Sequence, residues 1–182
     1  MAKDIKTYYE QSYIDNTLRL REVLQTLPSF TKDYFRAVEP TTSAKTRISY
    51  AYDIRVFFHF LIENNPIYHD YTTTQFTLQD LERVEPIDIE EYLEYLKVYK
   101  ADDNQVITNG EKGLARKFSS LRSFYRYFYR HQMIEKNPTI FVDMPKLHDK
   151  AIIRLDIDEV ALLLDYVENC GKELTGQKKS LL

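Results

Sequence analysis

The chain has 182 residues, of which 43% are hydrophobic and 29% charged, the balance of a globular protein with material for one domain or one domain and part of a second. No stretch approaches the ~18 consecutive apolar residues of a membrane helix, the longest strongly apolar run being Val160 to Leu164. The amino terminus Met1 to Lys6 has no apolar signal region and Cys170 is the only cysteine, so neither a secretory leader nor a disulfide framework is expected, and the cytoplasm is the expected compartment.

Four glycines and six prolines leave little punctuation for tight turns and favour long helices. The formal net charge of −3 excludes a chain that is basic throughout, so affinity for nucleic acid would have to come from local charge. Residues 4 to 26 read as a first helix, stopped by Pro28, and a short second helix follows near 29 to 38. Pro40 and the Thr41-Thr42-Ser43 cluster offer a break and N-cap oxygens for a third helix, 43 to 63. At about 100° per residue, Tyr50, Ile54, Phe57, Phe58 and Leu61 share its apolar face, with Lys45 and Ser49 pointing away. Residues 67 to 75 read as a surface loop, and Leu78 and Leu81 suggest a helical turn.

A fourth helix opens at Pro86, with Asp88 near the positive end of its dipole and Ile89, Tyr92, Leu93 and Leu96 as its stripe. From Asp80 to Asp103, nine acidic residues face three basic ones, a stretch that should avoid phosphates. A polar loop with Asn104, Asn109 and Gly110 leads to a helix over about 112 to 131. There Leu114, Phe118, Leu121, Tyr125 and Phe128 form a core-facing seam, and Arg116, Ser119, Ser123, Arg126 and Arg130 fall on the opposite face. Between Glu111 and Lys136 seven basic residues stand against two acidic, so a near-neutral average hides a positive helix and a negative one. Residues 139 to 154 read as an extended linker. A last helix from about Asp156 to Cys170 carries Ile157, Val160, Leu163, Leu164 and Val167 as an apolar stripe with no following partner, as expected of a chain ending inside a larger protein.

A self-contained active site is not in evidence: the chain has no Gly-rich phosphate loop, CxxC pair, HExxH or G-x-S-x-G. His59 and Glu63, one turn apart, make at most two ligands and read as a surface pair. Glu90, Glu91 and Glu94 read as a solvated face, and Cys170 as a small apolar residue with no base beside it. No metal or cofactor is expected. The positive helix is the better signal, since Lys and Arg neutralise phosphates while Ser and Arg can reach base edges in a major groove wide enough for an α-helix. The start of the third helix adds Ser43, Lys45, Thr46, Arg47 and Ser49 at a terminus that favours phosphate.

The segment Lys112-Gly113-Leu114-Ala115-Arg116-Lys117-Phe118-Ser119-Ser120-Leu121-Arg122-Ser123-Phe124-Tyr125-Arg126-Tyr127-Phe128, with Met133 to Pro138 and Pro145-Lys146 after it, resembles the core-binding domain of tyrosine recombinases of the phage integrase and Xer type. Thr46-x-x-x-Tyr50-x-x-Asp53-Ile54-x-x-Phe57-x-x-Phe60-Leu61 is similar to that domain's opening helix. Asp88 to Leu96 is similar to the next, and Leu155 to Val160 with Leu163-Leu164 to the helix that opens the catalytic domain. The resemblance implies an all-α bundle of four to five helices, SAM-like, at 41 to 138, with an extra helical extension at 1 to 40, a linker at 139 to 154 and the start of a truncated catalytic domain at 155 to 182. It further implies that two crossing helices meet double-stranded DNA, which places Ser43, Lys45, Thr46 and Arg47, and Lys112, Arg116, Ser119, Ser120, Ser123 and Arg126, on a recombination half-site. Tetramers of the full-length protein on DNA are implied as well, with no membrane or small-molecule partner.

The family's catalytic set, an Arg-Lys-His-Arg group and a nucleophilic tyrosine, belongs beyond the linker. The chain stops at Leu182, before the first of those arginines is expected, so no catalytic residue is assigned and the chain alone is expected to be inactive. In the intact enzyme the tyrosine would hold the cut strand as a 3′-phosphotyrosine without a cofactor. The competing reading is a non-catalytic helical module that binds protein or serves as an accessory DNA-binding unit.

Overall fold

Local capping chemistry sets most helix starts. In the computed structural model, Thr7 and Glu10 form a reciprocal capping box before α1 (Tyr8–Gln25), and the Ser43 hydroxyl caps α3 (Ala44–Asn64). Between them lies α2 (Thr31–Val38). Thr77 and Asp80 box the start of α4 (Leu78–Arg83), and Glu85 and Asp88, with Pro86 in the first turn, open α5 (Pro86–Tyr95). Then come α6 (Glu111–Arg130) and α7 (Ile157–Lys179). The structure describes residues 7–101, 104–146, 148 and 156–179, with side chains only through 169. The expected helix start before residue 7, Asp102 and Asp103, most of the linker from 147 to 155 and the side chain of Cys170 lie outside the described residues.

The described part of the first unit, residues 1–147, is a helical bundle around α3 and α6. Phe57, Phe58, Ile54 and Leu61 of α3 and Phe118, Leu121, Phe124, Tyr125 and Phe128 of α6 are all buried. Tyr92 of α5, Leu81 of α4 and Tyr34 of α2 close the core around them. Burying such side chains supplies the dominant stabilisation, about 1.5–3 kcal/mol each. With no tryptophan available, tyrosine and phenylalanine rings meet mostly edge to face, as between Phe124 and Phe128 at 5.0 Å and 77°. The residues before 40, expected as an extension, pack within this unit: Leu20, Val23 and Leu27 are buried, and Arg19 Nε donates to the Tyr52 hydroxyl of α3 at 2.7 Å.

One expectation needs correction. The polar loop after α5 contains an antiparallel hairpin, β1 (Val98–Lys100) and β2 (Val106–Thr108), in register Val98↔Thr108, Tyr99↔Ile107 and Lys100↔Val106. Strands of three residues are too short to give an alternating signal, and among the described residues the turn is marked by Asn104 at φ 62°, a left-handed backbone that asparagine tolerates. Pro138–Ile140 forms a 3-10 turn capped by Asn137, and Thr139 and Val142 are buried in the unit.

The second unit, residues 148–182, holds α7. Asp156 and Glu159 open it with reciprocal backbone bonds of 3.0 and 2.9 Å. It runs to Lys179, nine residues past the expected end, and its stripe Ile157, Val160, Leu163, Leu164 and Val167 is exposed. Among the described residues no helix is long and apolar enough to cross a membrane.

Candidate nucleic-acid interface

Helix α6 holds its seam in the core and turns its opposite face outward. Arg116, Ser119, Arg126 and Arg130 are exposed, and Arg122 and Ser123 half-buried. The Ser119 hydroxyl donates to the Ala115 carbonyl at 2.7 Å. Ser123 Oγ accepts the Tyr34 hydroxyl at 3.0 Å, which leaves its own proton to donate outward. Arg122 lies over the Phe118 ring at 5.5 Å. A groove of about 560 Å³ is lined by Ser119, Arg122, Ser123, Arg126 and Arg130 with Asn137 behind them. A hollow of about 230 Å³ against Tyr34, Ala37 and Val38 shares Ser123, Arg126 and Arg130 with it. Arg126 and Arg130 therefore border both hollows. Lys112, at the start of α6, is exposed as well.

At the start of α3, Lys45 and Ser43 are exposed and Thr46 is half-buried. Ser43 Oγ accepts the Thr46 N–H at 3.1 Å and lies 2.9 Å from the Thr46 hydroxyl. Arg47 differs from these neighbours. It is 4% exposed, its guanidinium meets Glu39 at 2.5 Å, and its Nε is buried with no hydrogen-bond partner. That hydrogen bond holds the Glu39 carboxyl below its ordinary range. Ser120 is buried too, its hydroxyl donating to the Lys117 carbonyl at 2.8 Å. Neither Arg47 nor Ser120 shares the outward face with the other eight residues expected on DNA.

Of the residues that tie α3 to α6, Arg116 is an expected site residue, while Asp53 and Lys117 are not. Asp53, 2% exposed, accepts from both terminal nitrogens of Arg116, at 2.5 and 2.9 Å, and from Lys117 Nζ at 3.2 Å. Its backbone carbonyl accepts the Tyr92 hydroxyl at 3.3 Å. Burial, with the Asp53 charge second, pushes the Tyr92 phenol well above its ordinary value. The signal available in the sequence was a carboxylate beside Ile54 within an otherwise apolar helix face, a position that requires a buried partner.

Two other sequence features are also placed. Glu90, Glu91 and Glu94 are exposed on α5. Glu63 accepts the Tyr95 hydroxyl at 3.1 Å, and no three metal-ligating side chains gather among the described residues.

Residues 31–132 match the family model described as phage integrase, N-terminal SAM-like domain. The chain is 32% identical over 145 residues to tyrosine recombinase XerC of Caldanaerobacter subterraneus subsp. tengcongensis, covering 78% of this chain and 40% of the relative. It is 34% identical over 124 residues to tyrosine recombinase XerC of Pediococcus pentosaceus, covering 68% and 35%. To a tyrosine recombinase of Pseudothermotoga lettingae it is 32% identical over 124 residues, covering 68% and 37%. The chain thus spans about two fifths of the length of the curated relatives it matches, and no solved structure matches it significantly. With its helical bundle, its ordered motifs and a family match over more than half its length, the chain belongs to the tyrosine recombinase family of the phage integrase and Xer type, through the N-terminal SAM-like domain.

Proposed function

We propose that this chain is the DNA-gripping portion of a site-specific tyrosine recombinase, seating the outward face of α6 and the start of α3 on a recombination half-site in the cytoplasm. One observation carries the reading: Ser119, Ser123, Arg126 and Arg130 face outward along α6 around a groove, while the opposite side of the helix is locked in the core. That arrangement suits a helix lying in a major groove, with the exposed cations on phosphates and the hydroxyls near base edges. Ser43, Lys45 and Thr46 would meet the backbone from the positive end of α3, and Lys112 from the start of α6. Strand cleavage through a phosphotyrosine, rejoining, and assembly of four copies on two sites are what the family relationship implies for the longer protein. This chain supplies the grip.

The test is duplex binding by fluorescence anisotropy across a salt series. The parent binds with an affinity that falls steeply with salt. Arg126→Glu combined with Arg130→Glu weakens binding and flattens the salt slope by about 2, near one for each phosphate that no longer meets a cation. Both side chains are exposed, so the helical circular dichroism stays unchanged. Parent-like binding by the double variant would remove this face from the interface. A parent that binds no duplex at low salt yet captures protein would instead favour the interaction module.

A further inference from the structure

Asp53 is almost fully buried, and two helices converge on it. It is 2% exposed on α3, and both cations that answer it come from α6. Lys117 is buried at 7%, and one buried cation would already neutralise the carboxylate. The second cation, Arg116, is held through both terminal nitrogens while 47% of its side chain remains exposed, on the face that carries Ser119 and Arg126. The trio therefore keeps a net positive charge, carried by the one member that reaches solvent. A guanidinium has five N–H donors in a rigid fork. Asp53 takes one from each terminal nitrogen, and the Nε edge remains a second bidentate donor.

We propose that Asp53 is a positioning residue for DNA recognition: it holds Arg116 with its Nε edge outward, so that this arginine reads the O6 and N7 acceptors of a guanine and is not a mobile phosphate contact. The proposal rests on the reading of α6 as the groove-facing helix. An arginine ordered before binding loses less rotamer freedom when it binds, and a fixed plane discriminates between base edges better than a swinging one.

The experiment selects bound sequences from a pool of randomised duplexes and then compares the recovered site with single-base variants. The parent recovers a site with a preferred guanine, and Arg116→Ala loses preference at that base pair only. Asp53→Asn combined with Lys117→Met removes the carboxylate together with the buried cation it neutralises, so no buried charge is left unpaired. This variant loses preference at the same base pair, by about tenfold or more, and binds an unrelated duplex as the parent does. Lys117→Met alone leaves Arg116 as the sole cation on Asp53 and keeps the preference.

Retained preference in the folded Asp53→Asn/Lys117→Met variant would show that Asp53 only neutralises Lys117, and the proposal would fall while the DNA grip stands. Loss of preference in folded Lys117→Met would overturn it even if the combined variant does not fold. Arg116→Ala with every base preference intact, or a parent that binds duplex without selecting any sequence, would equally overturn it. A parent that binds no duplex would remove the functional reading itself.

Discussion

Arg47 brings a full positive charge to a position that is 4% exposed, one turn into a helix whose dipole disfavours cations there. Glu39 answers the charge from a half-exposed site, and Nε has no partner at all. Glu39 can be solvated without its partner, so replacing Arg47 by an apolar side chain of similar shape removes a buried charge and leaves none behind. Arg47→Met is therefore expected to unfold at the parent temperature or up to a few degrees above it in calorimetry, with duplex affinity unchanged. A fall in affinity at unchanged stability would return Arg47 to the interface. The helical wheel had placed Ser119 and Ser123 outward but not Ser120, which entered the expected site only through the family resemblance. The structure buries Ser120, with its hydroxyl returned to the Lys117 carbonyl at 2.8 Å. Asp53 was legible as an anomaly, but its partners lie 63 and 64 positions away, and no local pattern names them.

Among the elements, α6 carries a wider apolar stripe than its 4-3-4-3 seam suggests. Phe124 lies outside that count yet is fully buried, with ring centroids 5.3 Å from Tyr34, 6.3 Å from Phe30, 6.4 Å from Phe58 and 5.0 Å from Phe128. Partners on both α2 and α3 make the buried face of α6 broader than a single seam. Phe124→Ala should open a cavity where three helices meet and cost about 3–5 kcal/mol in denaturant unfolding. A cost under ~1 kcal/mol would mean that the rings collapse into the space. Apart from the end of α7, nine residues later than expected, the described helices were legible to within a few residues because caps, prolines and 3.6-residue spacing are local. The hairpin was not, because its strands are held by pairing with each other and by Tyr99 stacking on Tyr95 at 5.3 Å and 26°.

For the whole molecule, a core built on tyrosine rather than tryptophan sets the response to alkali. Burial raises the Tyr34 and Tyr68 phenols from the ordinary 10.0 to about 12, and raises those of Tyr92 and Tyr125 well above it. The fold keeps these groups protonated, whereas the unfolded chain ionises them near 10. Their contribution to stability is complete below about pH 10 and is lost as pH rises through the folded values. Cooperative unfolding is expected to begin above pH 10, with part of the tyrosinate absorbance appearing in step with loss of helical circular dichroism. Full ionisation with the helices intact would contradict the burial of these rings.

The all-α class, the order of the helices, the segregation of positive from negative charge and the kinship with tyrosine recombinases were settled by the sequence alone. Each depends on spacing and composition within short windows. Tertiary structure decided which cations are available: of the seven basic residues from Lys112 to Lys136, Lys117 is buried on Asp53, Arg116 is held by Asp53 with part of its side chain in solvent, and Lys112, Arg126, Arg130 and Lys136 face solvent. It also decided that the residues before 40 pack on the bundle, through Leu20, Val23 and Arg19 against α3. Charge is a property of the residue. Whether that charge meets solvent or a buried carboxylate depends on which distant helix packs against it.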